Sequence, residues 1–396
     1  MISEKMKVFV EGSSIIRAMF EEGKKMAAIY GADKVYDFSL GNPNVPAPEE
    51  VNKAIKDIVD NEDSVYVHGY MSNSGYEDVR AAIAGSLNRR FDTNFNESNI
   101  VMTVGAAGGL NVILKSILNP GDEVIAFAPF FGEYRSYAGN YDGKRVVLSP
   151  DTNEFQLNLE ELSEKITTKT KAVIVNNPNN PSGVVYSEET IKKLAEVLRE
   201  KEKELGIEIF LISDEPYREL VYDGVEVPYL TKYYHNTVVG YSYSKSLSLP
   251  GERIGYLVIP DEADDAEQLK AAANVATRIL GFVNAPSLMQ RVVAKCVDTE
   301  VNVEPYNKNR ELLYGSLKEY GFECIKPQGA FYMFVKTPGD EMEFVAAAKK
   351  HNILVVPGKS FACEGYVRIA YCVSYDTIKN SLPGFKELAK EFGLLK

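Results

Sequence analysis

Lys245 closes the run Ser242-Tyr243-Ser244-Lys245, which follows the apolar stretch Val238 to Tyr241, and Arg253 stands eight residues further on. A lysine at a strand end is a candidate nucleophilic amine, able to condense with a carbonyl if its surroundings remove the ammonium proton; solvated surface charge is the commoner fate. Two hydroxyls and a nearby arginine fork suit a phosphate monoester dianion. Asp214 heads Asp214-Glu215-Pro216-Tyr217, directly after another apolar run, Ile209 to Ser213. An acid there either caps a helix or directs its charge into a crevice at the carboxyl ends of the strands, with the Tyr217 phenol beside it.

Three further segments carry the same ambiguity. Asn176-Asn177-Pro178-Asn179-Asn180-Pro181-Ser182-Gly183 follows the run Ala172 to Val175. It is either a plain turn or a turn that presents the Asn180 amide to a ligand oxygen. Gly105-Ala106-Ala107-Gly108-Gly109 lies between a β-branched run and a helical pattern of Leu110, Ile113, Leu114 and Ile117. Its small residues serve close packing, or they leave backbone N–H groups at a helix N-terminus open to phosphate. Arg368 sits inside the apolar run Tyr366 to Ala370 and needs an anion, either an internal carboxylate or one belonging to a substrate.

The elements that must hold these residues are legible as a pattern. Short β-branched runs at Ile100 to Val104, Glu123 to Ala128, Arg145 to Leu148, Ala172 to Val175, Ile209 to Ile212, Val238 to Tyr241 and Gly255 to Ile259 alternate with helical stretches. This predicts an α/β fold with a mostly parallel sheet covered on both faces. Ile191, Leu194, Ala195 and Leu198 fall at helical spacing after Ser187, with Glu188 and Glu189 in the first turn and Gly206 beyond the end. Past Asp261 the pattern turns helical to about Tyr320. Strands are then expected at Phe322 to Ile325, Phe331 to Val335, Ile353 to Val356 and Val367 to Cys372, and a closing helix from about Tyr375. The expected division is a large domain, 48–290, and a smaller α+β domain formed by 1–47 and 291–396, joined through a long helical connection near Asn284 to Tyr320.

Composition narrows the function classes. The 396 residues carry 44 Lys plus Arg against 56 Asp plus Glu, a formal charge of -12, so nucleic acid is a poor partner. Four cysteines without C-x-x-C spacing and three histidines argue against a zinc cluster, and no metal is expected. Met1 to Lys7 lacks the apolar core of a signal peptide and no apolar run reaches membrane-spanning length. A cytoplasmic protein is expected.

In order and spacing, these segments resemble the pyridoxal-phosphate-dependent aminotransferases of the class I/II family, fold type I, almost end to end. The likeness extends to Gly41-Asn42-Pro43, to Tyr70 five residues before Gly75, and to Asn119-Pro120-Gly121-Asp122. Pro129-Phe130-Phe131, Gln328-Gly329-Ala330-Phe331-Tyr332 and Val356-Pro357-Gly358 add to it. The resemblance implies pyridoxal 5'-phosphate held by Lys245 as an internal aldimine. In that reading Asp214 pairs with the pyridinium nitrogen, Asn180 and Tyr217 donate to the phenolate oxygen, and Phe131 stacks on the ring. Gly105, Ala106, Ala107, Ser242, Ser244 and Arg253 cradle the phosphate, and Tyr70 reaches the phosphate of the neighbouring subunit in a homodimer. Arg368 clamps the substrate's α-carboxylate with Asn180 and the Gly41 backbone. The implied activity is ping-pong transamination between an L-amino acid and a 2-oxo acid. A carbon–sulfur β-lyase on the same scaffold is the alternative. A non-catalytic cofactor-binding regulator is a third reading, which would need a DNA-binding segment that this acidic chain lacks. The second arginine that selects dicarboxylic substrates in some relatives has no clear counterpart; Arg278 and Arg291 read as ordinary surface arginines.

Overall fold

The computed structural model describes residues 2–11 and 15–395. Met1, 12–14 and Lys396, which fall in the segments assigned above to the smaller domain, lie outside the described residues. Seven strands form the main sheet: β2 (Ile100–Thr103), β3 (Glu123–Phe127), β4 (Lys144–Leu148), β5 (Thr170–Asn176), β6 (Phe210–Asp214), β7 (Thr237–Ser242) and β8 (Gly255–Val258). Their order is β2-β8-β7-β6-β5-β3-β4, with β8 antiparallel to both neighbours and the remaining pairs parallel. The near-continuous apolar runs of β5, β6 and β7 follow from burial on both faces.

Helices cover the sheet as the periodicity requires. Glu188–Leu205 buries Ile191, Leu194, Ala195 and Leu198; Ser187 Oγ accepts from the Thr190 N–H, and Gly206 ends the helix at φ 65°. Gly105–Ile117 buries Leu110, Ile113, Leu114 and Ile117 beneath β7 and β8.

A second sheet of three antiparallel strands joins β9 (Tyr332–Lys336), β11 (Val356–Pro357) and β12 (Tyr366–Ala370) in the order β11-β12-β9. Two short strands, β1 (Tyr36–Asp37) and β10 (Ile353–Leu354), pair in parallel beside it. The closing helix spans Tyr375–Glu391.

Three expectations are corrected. Ile353 to Val356 is not one strand: β10 pairs with β1 and β11 with β12, so a continuous buried run changes partner at Val355. Phe322 to Ile325 forms no strand, only an isolated bridge from Cys324 to Val335, because Pro327 soon removes a ladder donor. The helical connection is broken into Ser287–Lys295 and Glu304–Glu319, with Pro305 opening the second helix after a β-branched, Asp- and Asn-containing stretch.

Candidate active site

The carboxyl ends of β5, β6 and β7 converge, and Asn176, Asp214 and Ser242 are the last residues of those strands. Parallel register sets Asn176 directly beside Asp214. A cavity of about 250 Å³ opens there, and Arg368 reaches it from β12 of the smaller sheet. Its lining takes in Gly41, Ala106, Ala107, Phe131, Asn180, Asp214, Tyr217, Ser242, Ser244, Lys245, Arg253 and Arg368. Of the residues singled out from sequence, Gly105 lies just behind this lining and Tyr70 is not part of it.

At one end the groups are suited to an anion. Ala106 and Ala107 begin the helix Gly105–Ile117, whose first N–H groups lack intrahelical partners. Ser242 Oγ donates to Ser244 Oγ at 2.8 Å, and Arg253 Nη1 donates to Ser244 Oγ at 3.4 Å and to the Pro250 carbonyl at 3.0 Å. Gly105 adopts φ +68°, and an added Cβ would stand 2.6 Å from Arg253 Nη2. Its missing side chain is the space the guanidinium occupies.

Lys245 Nζ donates to the Gly41 carbonyl at 2.7 Å. Burial first, and then the charges of Arg253 and Arg368, bring its pKa down to about 8, while Cys372 opposes the shift. About a tenth is therefore free amine at pH 7, far more than for an ordinary lysine. Gly41 has no room for a side chain, since a Cβ would overlap the Tyr332 hydroxyl.

Asp214 is buried, and that burial pushes its pKa up to about 7 against the opposing hydrogen bond from Tyr134. The Tyr134 hydroxyl donates to Oδ2, which Asn176 Nδ2 also approaches at 3.5 Å. Oδ1 has no partner. No helix follows Asp214, so the capping role weighed above does not apply.

Arg368 is also buried, and among the described residues no carboxylate pairs with it. Nη1 donates to Asn180 Oδ1 at 3.0 Å and Nη2 to the Ser39 carbonyl at 2.6 Å, while Nε is unsatisfied. The Tyr332 and Phe361 rings flank the guanidinium at 4.5 and 4.8 Å. A buried cation with only neutral partners and a spare donor is poised for an external anion. Tyr217 and Tyr332 share a 2.9 Å hydroxyl contact, and Asn180 Nδ2 reaches Tyr217 at 3.5 Å.

Sequence reasoning missed Tyr134, Asn176 and the role of Tyr332. Register could have found Asn176, because it ends β5 as Asp214 ends β6. Tyr134 stands three residues after Phe131, across a tight turn in which its N–H donates to the Phe131 carbonyl, but nothing in its spacing points to Asp214. Arg278 is exposed and outside the cavity, and Arg291 pairs with Glu62. A larger cavity of about 490 Å³ lies elsewhere, beside the Arg90–Glu219 ion pair, and holds no comparable set of groups.

Comparison with known proteins gives a consistent picture. The family model described as aminotransferase class I and II matches residues 33–382. A probable N-acetyl-LL-diaminopimelate aminotransferase of Bacillus subtilis is 31% identical over 357 residues, 88% of each chain. A probable aspartate aminotransferase of Methanocaldococcus jannaschii is 31% identical over 364 residues, 89% of this chain and 92% of that one. Among solved structures, an aminotransferase from Eubacterium rectale superposes with a TM-score of 0.96 at 48% identity, covering 99% of this chain and 100% of that one.

Proposed function

Because the chain belongs to the class I and II aminotransferases, we propose that it moves an amino group between an L-amino acid and a 2-oxo acid by a ping-pong route, with pyridoxal 5'-phosphate anchored at Lys245. The observation that carries this reading is the convergence in one cavity of three groups with unused capacity. These are the Lys245 amine with its lowered pKa, the partnerless Oδ1 of Asp214 and the partnerless Nε of Arg368.

The donor set fits the cofactor. Ala106, Ala107, Ser242, Ser244 and Arg253 take the phosphate, with Gly105 leaving room for the arginine. Asp214 would take the ring nitrogen, Asn180 and Tyr217 would donate to the ring oxygen, and Phe131 would stack on the ring. When bound, the cofactor supplies an electron sink for the pair released from the substrate's Cα–H bond. Arg368, packed against Tyr332 and Phe361, grips the α-carboxylate with a planar fork and so fixes the orientation of Cα. Lys245, displaced from the cofactor by the incoming amine, would take the proton from Cα and deliver it to the cofactor's C4′ carbon, its pKa having been lowered by burial. Asp214, which burial alone would leave partly protonated, would pair as a carboxylate with the protonated ring nitrogen, so that the cation offsets the cost of ionising it. Within one copy, Arg253 and Arg368 are the arginines that line the cavity among the described residues.

Residues 48–290 form the cofactor-binding domain in this reading, with 1–47 and 291–396 the smaller one. Tyr70 serves the cofactor phosphate of a second copy in a homodimer. It is 91% exposed and absent from its own chain's cavity, and Val59, Val65 and Tyr66 are exposed close by in sequence.

The test is a panel of twenty amino acids with 2-oxoglutarate as acceptor, run on the wild type and on Lys245→Ala. The wild type should form new amino acid from at least one donor, and the variant should lose at least about 10³-fold in kcat while keeping its fold. Turnover by Lys245→Ala at the wild-type rate would overturn the reading. Release of ammonia and pyruvate without an acceptor would replace it with the β-lyase.

A further inference from the structure

Among the described residues Asp214 is the one acid lining the cavity, and its two oxygens are treated differently. Oδ2 accepts from the Tyr134 hydroxyl and lies 3.5 Å from Asn176 Nδ2, whereas Oδ1 is buried and accepts from nothing. Asn176 is itself fixed: its amide donates to the Asp214 carbonyl at 2.9 Å, and its Oδ1 accepts from the Asn180 N–H at 2.7 Å. Tyr134 is fully buried, and its ring stacks against Phe130 at 6.1 Å and meets Phe131 edge-on at 5.7 Å. The segment carrying these aromatics is tied to the loop before β12, since the Phe130 N–H donates to the Phe361 carbonyl at 3.2 Å and Arg135 Nη2 to the Lys359 carbonyl at 2.7 Å.

We propose that Tyr134 is a positioning residue for the cofactor: with Asn176 it commits Oδ2 of Asp214, so that Oδ1 alone is presented, at fixed orientation, to the N–H of a pyridinium ring. This rests on the functional reading above. A carboxylate with both oxygens free could rotate or share its charge between two geometries. One locked from behind offers a single directed acceptor, and its ordering is complete before the ligand arrives. The same aromatic cluster supports Phe131, so the stacking surface and the ring-nitrogen acceptor are held by one rigid unit.

Electrostatics point the same way. Burial, then the Asp214 charge, raises the Tyr134 phenol well above its usual value, so it remains a donor throughout the accessible pH range. Its hydrogen bond works against the burial that favours neutral Asp214, and Glu215 works with that burial. Tyr137 and Tyr217 complete the titratable groups that interact with this pair.

The experiment measures the dissociation constant of pyridoxal 5'-phosphate for the full-length protein between pH 5.5 and 8.5, by absorbance and equilibrium dialysis, with no amino acid present. Wild type, Tyr134→Phe and Asp214→Asn are compared, and the melting temperature of each cofactor-free protein is recorded. Tyr134→Phe should bind about tenfold more weakly at pH 8, the scale of one hydrogen bond to a charged group. The pH at which its affinity falls away on acidification should lie higher than in wild type, because the unsupported carboxylate protonates more readily. Asp214→Asn should be weak and lack that acid limb. A Tyr134→Phe protein with wild-type affinity and an unmoved acid limb would overturn the proposal, and so would a loss equal at every pH that tracks a fall in melting temperature. Failure of the wild type itself to bind the cofactor would instead remove the functional reading on which the proposal stands.

Discussion

Asp214 and Lys245 are an acid and a base held close to neutrality by the same cause, removal of water, and each carries a stability consequence. For Asp214 the folded-state value, about 7, lies above the ordinary carboxylate value of 3.8. The folded chain therefore binds a proton that the unfolded chain has released. The stability this gives is fully present below pH 3.8 and is lost as pH rises through 7. Asp214→Asn has no such dependence, so without cofactor it should melt several degrees above wild type at pH 8 and with it near pH 4. Calorimetry of both proteins across that range is the check, and a constant offset would show that Asp214 is ionised at no cost. Lys245 is common to both proteins, so its own titration largely cancels. Much of this site was legible in the sequence because strand ends in a parallel sheet collect polar residues where nothing else requires them. What stayed hidden was the set of partners. That Arg368 has no internal carboxylate partner among the described residues needed the third dimension, as did the donor behind Asp214, since neither follows a local periodicity.

Between β2 and the helix Gly105–Ile117 the chain must reverse within a residue or two while leaving space for Arg253, and Gly105 meets both demands. Gly105→Ala places a Cβ 2.6 Å from the Arg253 Nη2 atom on a backbone at φ +68°. The left-handed conformation alone costs about 1–2 kcal/mol. The variant should melt lower and bind inorganic phosphate at least about fivefold more weakly, by thermal shift and competition. Gly315→Ala is the control of opposite sign: it lies exposed in the helix Glu304–Glu319 with open space around it, and should stabilise by up to ~1 kcal/mol. Equal losses in the two variants would show that the phosphate end does not depend on this turn. Elements such as this one were readable because strand, small-residue turn and amphipathic helix differ in period. The run Ile353 to Val356 was not, because an apolar strand buried on both faces carries no mark of which neighbour each residue joins.

At the scale of the whole molecule, the exposed patch around Tyr66 and Tyr70 is the surface from which we expect the second copy to complete the site. Sizing by light scattering should give about twice the 44.0 kDa chain mass, and Tyr70→Phe should leave that mass unchanged while weakening cofactor retention several-fold. A fully active monomer would exclude a borrowed tyrosine. A different consequence follows from β1, whose strand partner among the described residues is β10. All seven strands of the main sheet have left the ribosome before Ile353 and Leu354 are made, so the large sheet can assemble while Tyr36 and Asp37 wait as an unpaired edge. At ordinary elongation rates that wait lasts roughly 15–60 s. Throughout it the nascent chain carries Arg368's future acceptor, the Ser39 carbonyl, ahead of its partner, so the proposed grip on a substrate carboxylate is among the last parts of the newborn protein to come into existence.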